Sequence, residues 1–296
     1  MRASTASHEA RTHGVAWLVT LGLALVLNPA LAEDKEDALE TERQHRLLEW
    51  PRAEANDLSL RDFIRVVSMW SDDRTGTIVT LQTSVRCLRK PGTDKRIVLV
   101  SVHHFGCADY YRGIAQYLAA DAKILREGQG DVPKSERCEF LLLVERYQRG
   151  LTRRMNLIHE NTWCPRVDGA SWRQLDMPLP EINRRCAGLP AAVVEGLRKR
   201  VAFIEGDASD ASLWEHVLTE AMTAEVDVDR LNGLDVARER IIFDGLKDEI
   251  ASGATKIVLM YGAVHMPALE RRIAAELGYR AEWSAWHDVF RYSKRT

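Results

Sequence analysis

Two apolar runs that each end in a histidine constrain the fold of this chain most. The first reads RIVLVSVHH over residues 96–104, and the second reads KIVLMYGAVH over residues 256–265. Continuous apolar, β-branched runs of this length are typical of strands that are buried on both faces, as in a parallel sheet between helices. A helical pattern follows each run, so we expect both histidines at the carboxyl ends of buried strands.

Further segments complete an α/β pattern. TGTIVTLQTSVRCLR alternates like a half-buried strand and KPGTDK is a turn, which together predict a hairpin leading into the first apolar run. ADYYRGIAQYLAAD has helical periodicity, AKILREG is a short strand before Glu127, and YRAEWSAWHDVFRY alternates as a closing strand. The sequence therefore predicts an α/β fold with a mixed, largely parallel central sheet flanked by helices.

The chain is long enough for one large core. It has 296 residues, 46% of them apolar, and no low-complexity linker divides it. We predict a signal peptide over 1–32, a charged N-terminal helical lead over 33–74, and an α/β domain over 75–296 with a helical insertion at about 135–230. The lead includes LSLRDFIRVVSMW, whose apolar residues recur at helical spacing, and WCPRVDGASW is a turn-rich interruption of the insertion.

The first residues have the organisation of an export signal. Arg2 and Arg11 precede the apolar stretch GVAWLVTLGLALVL, and Ala30 and Ala32 form a small-x-small cleavage site. We predict cleavage after Ala32 and a periplasmic or secreted protein. Because the stretch is shorter than the roughly 20 residues of a membrane span, no stable span is expected after processing, and an uncleaved anchor is the alternative.

The charge and the cysteine content limit which binding partners and which covalent cross-links are expected. The formal charge is -2 and no block of lysine and arginine occurs, so a nucleic-acid partner is not expected. The sequence carries no signal for oligomeric state. In an oxidising compartment, pairs of the five cysteines are expected to form disulfides, and the odd count leaves at least one free or joined to another molecule. The cysteines are Cys87, Cys107, Cys138, Cys164 and Cys186.

The strand ends indicate one candidate site. Loops beyond the carboxyl ends of parallel strands share one edge of a sheet, so His104, Glu127 and His265 are expected in one crevice. Two imidazoles and a carboxylate are donors to a divalent metal, which activates water for attack on a carbonyl. Without a metal, a glutamate or histidine accepts the proton from water directly. His103 competes with His104 for this role, and either strand-end histidine can instead be structural.

We expect His265 to be partly exposed at the sheet edge, so that His265→Ala costs little stability.

Two further side chains are candidates for catalysis. Tyr261 precedes Gly262 and could donate a hydrogen bond to an oxyanion, although an aromatic residue that ends a strand usually packs in the core. Arg238 could neutralise a carboxylate or a tetrahedral intermediate, and a surface salt bridge is its alternative role.

Two separate motifs carry a family resemblance. SVHHFGCADYYRGIAQYLAADAKILREG, and later YGAVHMPALERRIAAELGYR, resemble the TraB/GumN family, which is related to the Tiki proteins. The resemblance extends from about residue 77 to residue 290 and is weakest across 130–230. Its first G-x-x-H motif has Ser101 at the glycine position, and Glu239 replaces the asparagine that follows Arg238.

The resemblance implies a function as well as a fold. Tiki proteins are described as metal-dependent proteases, which implies an exported hydrolase of peptide or amide bonds with a peptide or small-molecule substrate. It implies a divalent metal held by His104, Glu127 and His265, with Glu127, Arg238 and Tyr261 as catalytic candidates. Relatives in the wider superfamily include a haem-binding protein, so a non-catalytic ligand- or haem-binding protein on the same fold is the alternative.

Overall fold

The structure is a computed structural model. It describes residues 58–70, 76–118, 121–128, 133–163, 171–222 and 234–295. The predicted signal peptide, its cleavage site after Ala32, most of the charged lead and Cys164 lie outside the described residues.

The described chain begins mainly with strands, and most of its helices follow in the middle of the sequence. The strands are β1 (Ile64–Trp70), β2 (Gly76–Arg89), β3 (Arg96–Val102), β4 (Phe105–Gly106), β5 (Lys123–Arg126), β6 (Ile158–His159), β7 (Ser171–Gln174), β8 (Lys256–Gly262) and β9 (Arg280–Arg295). The helices are α1 (Ala108–Ala115), α2 (Glu139–Arg154), α3 (Glu160–Trp163), α4 (Leu179–Ala187), α5 (Ala191–Glu205), α6 (Asp210–Met222), α7 (Leu234–Ala251) and α8 (Met266–Leu277). Short 3-10 turns occur at Leu60–Asp62, Lys134–Glu136 and Ala263–His265.

One mixed sheet organises the molecule. Its order is β1-β2-β3-β8-β5-β7, and β9 pairs with β2. The strands β3, β8, β5 and β7 run parallel, whereas β2 is antiparallel to β1, β3 and β9. The prediction of an α/β fold with a mixed, largely parallel sheet is therefore confirmed.

The two histidine-ending runs are neighbouring strands at the centre of this sheet. Strand β3 is buried from Ile97 to Val102, and β8 is buried from Ile257 to Gly262. Their register places Ser101 opposite Tyr261 and Val102 opposite Gly262. Because both strands are covered on both faces, apolar residues fill most positions instead of alternating with polar ones, and Ser101 is a buried polar exception.

The helical prediction for LSLRDFIRVVSMW was wrong. Only Leu60–Asp62 forms a 3-10 turn, and Ile64–Trp70 is the strand β1, paired antiparallel with β2 from Thr77 to Thr83. Its β-branched residues favour an extended backbone, and β2 supplies the hydrogen-bonding partners that a strand cannot provide for itself. The sheet accordingly begins at residue 64, inside the segment that was predicted to be the helical lead.

The described residues between 135 and 222 are mostly helical, and β6 and β7 are the strands among them. At the end of the turn-rich segment, Ser171–Gln174 forms β7, which pairs parallel with β5. Four residues with no apolar alternation give no strand signal, so only pairing with β5 identifies this element. Strand β7 places Asp176 at the same edge of the sheet as Glu127.

The segment after β8 turns sharply into α8. Pro267 lies in the first turn of α8, where a missing N–H costs nothing, and Gly278 ends the helix with a φ of 72°. Among the described helices, none is both long and apolar enough to cross a membrane.

Candidate functional site

Four strand ends meet at one edge of the sheet. Glu127 directly follows β5, His104 follows β3, His265 follows β8 through a 3-10 turn, and Asp176 follows β7. Because these four strands are parallel and adjacent, their carboxyl ends lie side by side. Helix α7 contributes Arg238 to the same place.

Glu127 is the centre of this cluster. Arg238 Nη2 donates to Glu127 Oε1, and the backbone nitrogen of Gly262 donates to Glu127 Oε2 at 2.9 Å. Burial alone would raise the pKa of Glu127, but Arg238, His104 and His265 together hold this pKa below its usual range. Glu127 is therefore a carboxylate at neutral pH.

Gly262 leaves room between Glu127 and His104. A Cβ atom at this position would lie 3.3 Å from Glu127 Oε2 and 3.7 Å from His104 Nε2. The glycine of the second motif thus lets the β8 backbone approach the carboxylate and the imidazole at once.

Arg238 is a buried cation that joins two carboxylates. Its Nε donates to Asp176 Oδ1 at 2.9 Å and its Nη2 to Asp176 Oδ2 at 2.8 Å, a bidentate pair, in addition to the bond with Glu127. Asp235 Oδ1 lies 3.7 Å from Arg238 Nη1. Arg238 is only 7% exposed, so the alternative of a surface salt bridge is wrong.

Each site histidine has a carboxylate on Nδ1. His104 Nδ1 is 2.9 Å from Glu160 Oε2, and His265 Nδ1 is 3.3 Å from Glu239 Oε1. Burial would lower both pKa values, but Glu160 and Glu127 raise the pKa of His104 to about 9, and Glu239 raises that of His265. A carboxylate on Nδ1 fixes the ring orientation and leaves Nε2 as the atom that can face a ligand.

His265 is buried, contrary to expectation. Its exposure is 1%, because α8 begins directly after it and the turn Ala263–His265 folds the side chain inward onto Glu239. The expected small cost of His265→Ala assumed partial exposure, so that premise was wrong.

His103 and His104 have different environments. His103 Nδ1 lies 2.7 Å from the carbonyl oxygen of Phe105, and burial lowers the pKa of His103 to about 4. The backbone of His103 is held by two tyrosines, since its nitrogen donates to the Tyr110 hydroxyl and its carbonyl accepts from the Tyr111 hydroxyl. His103 therefore shapes the loop, and His104 is the histidine beside Glu127.

Tyr261 and Ser101 are both buried in the core. The Tyr261 hydroxyl donates to the carbonyl oxygen of Leu175 at 2.6 Å, and burial raises the pKa of Tyr261. A donor role toward an oxyanion would require this hydrogen bond to break. The Ser101 hydroxyl has no hydrogen-bond partner among the described residues.

The charges around Glu127 do not balance. Three cationic or protonatable groups, Arg238, His104 and His265, face five acidic side chains: Glu127, Glu160, Asp176, Asp235 and Glu239. In the described parts of the chain, no three His, Cys, Asp or Glu side chains are arranged closely enough to hold a metal ion as they stand. The chemical types of these groups are nevertheless those that bind metals. Imidazole nitrogens are common metal ligands when a carboxylate lies on Nδ1, and a neighbouring carboxylate is a further suitable ligand.

Sequence patterns did not indicate Glu160, Asp176 or Asp235. Asp235 carries a weak signal, because it precedes Arg238 by three residues and so shares its helix face. Glu160 and Asp176 have none, since they meet His104 and Arg238 only through the folded chain.

Compared with family models, curated proteins and solved structures, the chain matches none.

Proposed function

We propose that this protein is an exported hydrolase of the TraB/GumN type that cleaves peptide or amide bonds with the help of a divalent metal. The observation that supports this best is the pair of imidazoles, each with a carboxylate on Nδ1, that lie beside the carboxylate of Glu127. The two-motif resemblance supports the same function.

The excess of acidic groups supports a cation in this site. The carboxylates raise the pKa of His104 to about 9 and also raise that of His265, and a divalent cation would compete with protons for these imidazole nitrogens. His104, Glu127 and His265 would hold the metal, with Glu160 and Glu239 orienting the rings. Binding of a metal to Glu127 would replace the hydrogen bond that Glu127 accepts from Arg238.

Each remaining group has a chemical role in this proposal. The bound metal supplies a water of lowered pKa and polarises the scissile carbonyl. Glu127 would accept the proton of the attacking water. Arg238 would stabilise the negative charge of the tetrahedral intermediate. We place this role on Arg238 rather than on Tyr261, because the Tyr261 hydroxyl already donates to Leu175.

The direct test is metal analysis and peptide hydrolysis with purified exported protein. Mass spectrometry should first show Glu33 at the amino terminus. We expect bound divalent metal, hydrolysis of a peptide library that a chelator abolishes, and loss of both in His265→Ala. His287→Gln is the matched control, because its amide can replace the 2.9 Å contact of His287 Nε2 with the Tyr117 hydroxyl. A folded parent without metal and without hydrolysis would contradict the proposal.

A binding function on the same fold is the second candidate. The buried Ser101 hydroxyl, which has no partner among the residues described, is the departure from the family motif that favours it. If the site binds haem without turnover, titration of the parent with haem gives a saturable absorption change that His265→Ala reduces, and no peptide is cleaved.

A further inference from the structure

Two of the cysteines lie where helices α2 and α4 meet. Cys87, Cys107, Cys138 and Cys186 are thiols in the structure. Cys138 is the residue before α2 and packs against the core, while Cys186 lies in the last turn of α4 and belongs to that core. The expected disulfides are thus not formed among these four thiols, yet one pair of them is well placed to form one.

Asn183 fixes the two segments against each other. The backbone nitrogen of Cys138 donates to Asn183 Oδ1 at 2.6 Å, and Asn183 Nδ2 donates to the carbonyl oxygen of Glu136 at 2.8 Å. Cys186 follows Asn183 by three residues on α4, so both side chains are on the same helix face. Cys186 therefore faces the segment that carries Cys138.

The electrostatics agree with this placement. Burial, followed by the neighbouring sulfur of Cys138, raises the pKa of Cys186 to about 12. Cys138 is the only cysteine that contributes to this shift among the described residues. Together with the Asn183 hydrogen bonds and the contact between α2 and α4, this places both thiols in the same part of the interface between the two helices.

We propose that Cys138 and Cys186 form an intramolecular disulfide by exchange with a disulfide-containing oxidant of the exporting compartment. This inference concerns a modification site and does not depend on the proposed hydrolysis.

The order of the exchange follows from exposure. Cys138 is half-buried at the amino terminus of α2 and is the more accessible of the two thiols, so its sulfur attacks the oxidant and displaces the first oxidant thiol. Cys186 is 3% exposed and can reach only the resulting mixed disulfide. The sulfur of Cys186 attacks that of Cys138 and displaces the second oxidant thiol. The two protein thiols lose two electrons and two protons, and the oxidant disulfide gains them.

The other two described cysteines lack such a partner. Cys87 is buried in β2, where burial and then Glu282 raise its pKa to about 12. The sulfur of Cys107 lies 3.9 Å from the carbonyl oxygen of Asp288. In the same protein, Cys87 and Cys107 therefore serve as control thiols that are not expected to form this disulfide.

The cross-link would brace the candidate site. Helix α4 begins three residues after Asp176, which binds Arg238. Arg238 and Asp235, both on α7, also influence the pKa of Cys186, which Arg238 lowers and Asp235 raises. A bond from Cys186 to Cys138 would therefore hold α4 and the loop of Asp176 against α2.

Peptide mapping provides the test. Arg137 and Arg185 precede the two cysteines, so trypsin releases the peptides 138–146 and 186–198, each beginning with a cysteine. After treatment with oxidised glutathione, a non-reducing digest should contain these peptides joined, about 2 Da lighter than their sum, and reduction should separate them.

Two variants make the test specific. Cys107→Ser should leave the joined peptide unchanged, whereas Cys138→Ser should abolish it and leave Cys186 open to alkylation after unfolding. The proposal is overturned if both thiols of the oxidised parent remain alkylatable, or if Cys164 is the residue joined to either of them.

Discussion

The backbone nitrogen of Gly262 donates a hydrogen bond to Glu127 Oε2 at 2.9 Å, although the two residues are 135 positions apart in the chain. The bond links the end of β8 to the end of β5 and helps to hold the carboxylate as an anion. The glycine of one motif and the glutamate of the other thus belong to a single site.

Gly262→Ala tests how tightly this site is packed. The added Cβ would meet Glu127 Oε2 at 3.3 Å, so we expect loss of metal binding and hydrolysis with a destabilisation of about 1 to 3 kcal/mol. Gly196→Ala in α5 is the control, because nothing lies within 4 Å of its added Cβ. The control should gain roughly 0.5 to 1 kcal/mol, measured by urea denaturation. Equal effects of the two changes would refute the close approach at Gly262.

Arg238→Gln should be the most damaging single change in the site. It leaves Glu127 and Asp176 buried without their cation, which costs about 3 to 5 kcal/mol. Arg240→Gln, on the same helix with its side chain 80% exposed, should change the free energy of unfolding by less than about 0.5 kcal/mol. Urea denaturation of both variants measures these changes in the free energy of unfolding. A small loss in Arg238→Gln would mean that the two carboxylates are not held as a buried ion cluster.

His265→Ala is expected to lose stability as well as ligand binding. The change leaves the Glu239 carboxylate without its partner, at a cost of about 1 to 3 kcal/mol. In the double variant His265→Ala/Glu239→Ala the loss should be smaller than the sum of the two single losses. Strict additivity in this double-mutant cycle would show that the two side chains do not interact.

Tyr261→Phe separates a structural role from a catalytic one. It removes the donor to the buried carbonyl of Leu175, so we expect a stability loss of about 1 to 3 kcal/mol with little change in hydrolysis by the folded enzyme. A steep fall in kcat at unchanged stability would instead assign Tyr261 to the oxyanion.

The pH dependence of stability should include a contribution from His216, which lies away from the site. Burial, assisted by Arg200, lowers the pKa of His216 from 6.5 to about 4, while its Nε2 contacts the Tyr147 hydroxyl at 3.1 Å. Because the unfolded chain takes up the proton first, this stability is present above pH 6.5 and is lost as the pH falls toward about 4. Between these pH values, His216→Gln should lose less stability than the parent in parallel urea titrations. Identical slopes would show that His216 titrates alike in both states.

The sequence by itself determined the central strands and their histidines. The runs ending at His104 and His265 are mostly apolar and rich in β-branched residues, a pattern that is visible in the local sequence. The helix after Pro267 has an equally local pattern. Since parallel strands share a carboxyl edge, Glu127 could be placed there as well.

Only the tertiary structure decided how these pieces meet. Strand β8, from the end of the chain, lies between β3 and β5, and this pairing brings Gly262 to Glu127. Strand β1 exists because β2 offers a partner, which outweighs the helical spacing of its apolar residues. The carboxylates Glu160 and Asp176 meet His104 and Arg238 through contacts 56 and 62 positions apart, and no local periodicity records an interaction over such a separation. Burial of His265 likewise depends on the packing of α8, because a strand-end position does not reveal what will cover it.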